Sequence, residues 1–170
     1  TDWSCYNNWD IPGDIYPDNT AYEQYDVTLD GPGDVVFLDV TVTINTLTML
    51  NGPTLNVTQT GGGDLTVVGE GGILAGGTIN VANDRSINVT SGPLNLGAGG
   101  LYQAASSTRA DGCEPGVDVC ASLTTDDSVT LGTGILGDEP AGTMILEDAM
   151  LVTTASDFIL DGRGAISCEE

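Results

Sequence analysis

Any chemistry this chain performs must come from carboxylates, thiols and aromatic rings, because its 170 residues contain neither His nor Lys. Against 25 acidic residues stand three arginines, Arg85, Arg109 and Arg163, for a formal net charge of −22. The carboxylates cluster at Asp30/Asp34/Asp39, Asp111/Glu114/Asp118, Asp126/Asp127 and Asp138/Glu139. Grouped carboxylate oxygens are what a hard cation such as calcium needs. None of the clusters follows the EF-hand loop or the GGxGxD repeat. The preferred calcium set is Asp111, Glu114 and Asp118, because a Cys113–Cys120 disulfide would hold that loop's oxygens in place. A solvated acidic face is the competing reading of each cluster.

Catalysis is harder to build from these residues. Carboxylate pairs cleave glycosides, and Asp126-Asp127 with Arg109 is the candidate set. Adjacent strand residues point to opposite faces, however, so the pair does not share a substrate. Gly132-Thr-Gly-Ile-Leu-Gly137 matches GxGxxG, but Asp138-Glu139-Pro140 follows it where a phosphate-binding helix would have to start. No enzymatic activity is expected. The charge repels nucleic acid phosphates, and no apolar run reaches the length of a membrane span, so neither nucleic acid binding nor membrane insertion is expected.

The four cysteines form no CxxC, and without His they make no zinc site. Disulfides in an extracytoplasmic compartment are expected instead. A chain that begins at Thr1 rather than Met reads as a processed mature form. Asn56-Val57-Thr58 and Asn88-Val89-Thr90 are glycosylation sequons, and strand alternation turns both Asn side chains outward. Six aromatic residues, Trp3, Tyr6, Trp9, Tyr16, Tyr22 and Tyr25, crowd into residues 1–26. They read as a cap over the end of a core, which repeat folds require, or as a stacking platform for glycans centred on Trp3 and Trp9.

The elements that must position these groups are short strands. An aliphatic residue, then Asn or Thr, then an aliphatic recurs at Leu55-Asn56-Val57, Leu65-Thr66-Val67, Ile79-Asn80-Val81, Ile87-Asn88-Val89 and Leu94-Asn95-Leu96. That alternation is the signature of a half-buried strand, and Gly, Pro, Asn and Asp between the phrases supply turns. Further strands are expected at Asp26–Leu29, Val35–Leu38, Val40–Ile44 and Leu47–Leu50, and in five stretches between Ser128 and Ile166. Every second phrase repeats loosely, as in a solenoid with loops of unequal length. A single domain follows, with an aromatic N-terminal cap at 1–26, strand repeats at 27–101, a disulfide-stapled excursion at 102–127 and C-terminal strands at 128–170. The expected fold is all-β, a right-handed parallel β-solenoid-like stack. An antiparallel β-sandwich or pilin-like domain is the alternative.

The segments TINTLTMLNGPTLNV and GDLTVVGEGGILAGGTINV, with the return at Thr143–Ile166, resemble the coils of passenger-type parallel β-helix surface proteins of bacteria. The aromatic run from Trp3 to Trp9 resembles the segment that precedes their first coil. The resemblance implies an exported, extended, non-catalytic surface protein. Passengers are usually poor in cysteine, so the four cysteines here suit a prokaryotic extracellular filament or sheath subunit better.

About seven coils rising about 4.8 Å each would separate the ends by about 30 Å, too far for Cys5 and Cys168 to pair within one chain unless the aromatic cap runs back along the stack. In a compact sandwich whose termini meet, the two would pair intramolecularly. In the stack they would join neighbouring subunits head to tail, and a contact that does not close makes a filament. The expected function is therefore a structural subunit of an extracellular filament, sheath or surface layer. It would assemble with itself through strand edges and inter-subunit disulfides. Two alternatives stand beside it: a calcium-stabilised carbohydrate-binding or adhesive β-domain, and a polysaccharide-cleaving β-helix enzyme.

Overall fold

The computed structural model describes residues 1–57, 62–82 and 85–96 with their side chains, and the backbone of the strands that follow. The alternating phrases become strands too short to bury a face alone, so they stack in threes. The first coil contains β1 (Asp26–Asp30), β2 (Val35–Phe37) and β3 (Val42–Ile44). The second holds β4 (Thr46–Leu50), β5 (Thr54–Val57) and β6 (Leu65–Val67), the third β7 (Ile73–Ala75), β8 (Thr78–Val81) and β9 (Ser86–Val89). The fourth holds β10 (Leu94–Leu96), β11 (Leu101–Ala105) and β12 (Ser122–Thr125), and the fifth β13 (Val129–Leu131), β14 (Thr143–Glu147) and β15 (Met150–Thr153). A sixth contributes β16 (Phe158–Leu160) and β17 (Ala165–Glu169).

Like strands of successive coils pair to give three sheets. Sheet I runs β1-β4-β7-β10-β13-β16, sheet II runs β2-β5-β8-β11-β14-β17, and sheet III runs β3-β6-β9-β12-β15. All these pairings are parallel. Parallel pairing excludes the antiparallel sandwich, whose neighbouring strands reverse direction. The architecture is a parallel β-solenoid-like stack.

Three details differ from the sequence reading. Each coil uses three strands, not two phrases. The spacing from Leu55 to Ile79 and from Leu65 to Ile87 does match stacked positions, but β7 falls between phrases because its outward residue is Leu74 in place of a polar one. Second, the stretch 102–127 is not one excursion. It contains most of β11 and all of β12, both in register with the coils on either side. Third, sheets I and II have six strands and sheet III five, so the strands make just under six coils where about seven were expected. Because Asp2 bridges Phe37 on the outer side of β2, the N-terminal residues and β17 are still six rungs apart, about 29 Å at about 4.8 Å per rung.

The core is a set of aliphatic columns. In sheet I, Val27, Leu47, Ile73 and Leu94 stack in register; in sheet II, Leu55 stacks on Ile79; in sheet III, Val42, Leu65 and Ile87 do the same. All are buried. Each such side chain contributes about 1.5–3 kcal/mol by leaving water, and with three-residue strands it is this column packing that makes the fold stable. Where the corners of successive coils touch, a side chain cannot fit. Gly72 has φ +57, and a Cβ there would lie 2.1 Å from the carbonyl oxygen of Pro93.

Side chains also tie one rung to the next on the outer surface. Asn80 Nδ2 donates to Asn56 Oδ1 at 2.8 Å. Asn45 Nδ2 and Thr46 Oγ1 donate to Asp26 Oδ1 at 2.6 and 2.8 Å, and Asn51 Nδ2 donates to Asp30 Oδ1 at 2.6 Å. The polar middle residues of two phrases, Asn56 and Asn80, are thus rung-to-rung connectors, and corner and strand-end residues do the same between the first two coils.

Candidate functional site

The aromatic N-terminal segment forms the cap. Residues 1–3 lie along the outer edge of β2, with Asp2 bridging Phe37 in parallel. Phe37 N donates to Thr1 O and Trp3 N to Phe37 O, both at 2.8 Å. Trp3 is fully buried and its indole N–H donates to Pro17 O at 3.0 Å. Trp9 lies against it, ring centroids 4.7 Å apart and planes inclined at 56°, and its own indole donates to Trp3 O at 2.7 Å. Buried in this way, Trp3 offers no face to a sugar. Trp9 is only half-buried, and Tyr22, 97% exposed, is the most open aromatic of the segment.

The cap closes a second edge with polar groups. Asn19 N donates to Thr43 O and Thr43 N donates to Asp18 Oδ1, so residues 18 and 19 cover the outer edge of β3. Asp39 fastens the segment on the far side, accepting Ser4 N at 2.9 Å on Oδ1 and the Ser4 hydroxyl on Oδ2. Burial raises the Asp39 pKa, but the hydrogen bonds from Ser4 and nearby backbone N–H groups outweigh it, and the net result lies below the ordinary carboxylate value. The charged form is therefore the one the fold favours. Its contribution to stability is complete above the unfolded-state pKa, near 3.9, and disappears as pH falls through the lower folded-state value. Asp39→Ala should cost about 1–2 kcal/mol at neutral pH, read as a lower denaturation midpoint. The gap from the parent protein should close in acid.

Sheet I is treated differently. Among the described residues, no backbone hydrogen bond reaches the outer edge of β1. Two hollows that share Trp9, Asp10 and Thr28 in their walls lie along that edge instead. One of about 420 Å³ lies between Trp9-Asp10 and the stretch from Thr28 to Asp30, with Asp34 and Val35 beyond. The other, about 200 Å³, continues past Trp9 to Tyr25, Asp26 and Val27. Tyr25 closes that end. Its hydroxyl donates to Glu23 Oε2 at 2.9 Å, and this bond, with burial and the Glu23 charge, raises its pKa above the usual phenol value. Among the described residues, the first coil therefore has two edges sealed by its own chain and one, bordered by acidic side chains, that no backbone group pairs with.

The other sequence candidates distribute as follows. Cys5 is exposed and makes no disulfide. It follows the residues that lie on β2, whereas Cys168 sits in β17 at the opposite end of sheet II, and this separation exceeds the roughly 7 Å a disulfide spans. By backbone register, Cys168 is opposite Leu146, Leu146 opposite Ala104 and Ala104 opposite Val81. Asn56 and Asn88 take outward strand positions and are half-buried, with Asn56 engaged by Asn80. Asp30, Asp34 and Asp39 do not converge: Asp30 accepts Asn51, Asp39 accepts Ser4, and Asp34 N closes a turn onto Gly31 O at 3.1 Å. Among the described residues no three acidic or cysteine side chains gather as a metal site, and no helix is long and apolar enough to cross a membrane. Asp111, Glu114, Asp118, Cys113, Cys120, Arg109, Asp126, Asp127 and residues 132–142 lie outside the described residues.

The sealing of β2 and β3 was not readable from composition, because it uses backbone groups of residues 1–3 and 19. Asp18, which accepts Thr43 N, looks in sequence like a turn residue, and Asp39, which accepts Ser4, like a member of an acidic cluster. Comparisons with protein-family models, with curated proteins and with solved structures find no match to this chain.

Proposed function

We propose that this protein is a structural subunit of an extracellular filament, sheath or surface layer that assembles with copies of itself. The observation that carries this reading is the stack of three parallel sheets, whose described coils share one aliphatic interior from Val27 to Leu96. The described residues are used for stacking rung on rung, as a shaft requires. The passenger-type resemblance and the cysteines, which fit an oxidising compartment, support the same reading.

Assembly must contend with charge. Copies carrying −22 each repel at low ionic strength, and screening shortens that repulsion from about 10 Å at 0.1 M salt to about 3 Å at 1 M. Sedimentation velocity should accordingly show single subunits in dilute buffer and larger species as salt rises. Thiol-sensitive bands on non-reducing electrophoresis should vanish in Cys5→Ser if the exposed thiol links neighbours. A protein that remains a single subunit at every salt concentration would remove the self-assembly reading.

A further inference from the structure

We propose that the outer edge of β1 is an acceptor site for an extended, basic polypeptide segment of another protein, which adds as a strand to sheet I. This rests on the free edge and not on self-assembly, so it stands or falls separately from the filament reading.

The physical case begins with the backbone. In a parallel pair, alternate residues bond to one neighbour and the residues between them present N–H and C=O groups to the other side. β4 satisfies one side of β1, and among the described residues nothing in the backbone satisfies the other. The same coil seals β2 with residues 1–3 and β3 with residues 18 and 19. Unsealed edges are pairing templates, and proteins commonly block them. Here two are blocked and the third is bordered by two hollows whose walls together include every residue from Asp26 to Asp30.

Charge then selects the occupant. The hollows are bordered by Asp10, Asp26, Asp30 and Asp34, and no lysine in the chain offsets them. A second copy of this acidic chain is repelled at that edge, and nucleic acid or an anionic surface more so. A strand carrying Lys or Arg at alternate positions brings its cations to these carboxylates while its backbone pairs with β1. Main-chain bonds of this kind supply affinity and the side chains specificity. Trp9, half-buried in the wall of both hollows, gives an optical report of occupancy.

The test uses the whole protein with short synthetic peptides alternating Lys and Val, alternating Glu and Val, and Lys-Val interrupted by Pro. Binding is followed by Trp fluorescence, and amide hydrogen exchange is read over Asp26–Asp30. The Lys-Val peptide should bind and slow exchange in β1. The Glu-Val peptide and the Pro-interrupted peptide should bind at least roughly tenfold more weakly, as should Lys-Val in about 1 M salt or with Asp10→Asn, Asp34→Asn. The double variant changes two groups that make no side-chain hydrogen bond among the described residues, so its fold should persist. Three outcomes would overturn the proposal. They are Lys-Val binding with exchange in β1 unchanged, equal binding by the Pro-interrupted peptide, and protection of β1 that grows with protein concentration alone, which would assign the edge to a second copy.

Discussion

Replacing Trp3 with Ala should lower stability by about 3–5 kcal/mol, the usual cost of removing a fully buried large aromatic. For a chain of this length that corresponds to a Tm fall on the order of 10 °C. The reasons lie in what Trp3 touches. Its ring is wholly inside, its indole is satisfied by Pro17 O, its backbone N–H pairs with Phe37 O, and its carbonyl accepts Trp9. Truncation leaves a cavity under the cap and orphans Pro17 O at the same time. Coils of a stack contact only their neighbours, so the loss should appear first at this end. Amide exchange at Phe37 and Thr43 should accelerate well before that in the central coils. With the β2 edge unsealed, the variant should also associate more readily than its parent. Trp9→Ala, which removes a half-buried ring, should cost less.

The second large effect concerns neighbours with opposite fates. Ile73→Asp should abolish folding at neutral pH, whereas Leu74→Asp should alter stability by no more than about 0.5 kcal/mol. Ile73 is fully buried between Leu47 and Leu94, while Leu74 is 43% exposed on the outer face. An unpaired carboxylate forced into an aliphatic column costs several kcal/mol after relaxation, comparable with the entire stability of a domain. Ile73→Val, at about 0.5–1.5 kcal/mol, separates loss of packing from burial of charge. Far-UV circular dichroism and urea denaturation read all three. Equal tolerance of Asp at both positions would contradict the inward and outward assignment of β7.

The same strand marks the limit of what the sequence disclosed. Alternation identified β5, β6, β8, β9 and β10 because each carries Asn or Thr between two aliphatics. Ile73-Leu74-Ala75 lacks that contrast, and without β7 the three-strand period disappears. Corners obscured it further: Asn45 alone links β3 to β4, while Val68–Gly72 links β6 to β7. Backbone hydrogen bonding fixes the register across such unequal corners, and composition carries no trace of it. The cap was visible as a cluster of rings, but its division of labour was not. Trp3 seals, Trp9 braces, and Asp39, which in sequence resembled part of a cation cluster, anchors Ser4. The open edge of β1 is legible only by subtraction, once the hydrogen bonds closing β2 and β3 are known.

Electron microscopy of the protein as isolated from its native source, alongside purified protein at low and high salt, tests the structural reading most directly. Elongated polymers or a continuous layer in the native material, re-formed from purified subunits as salt rises, are the result expected. Dispersed single particles in the native material and at every salt concentration would contradict it.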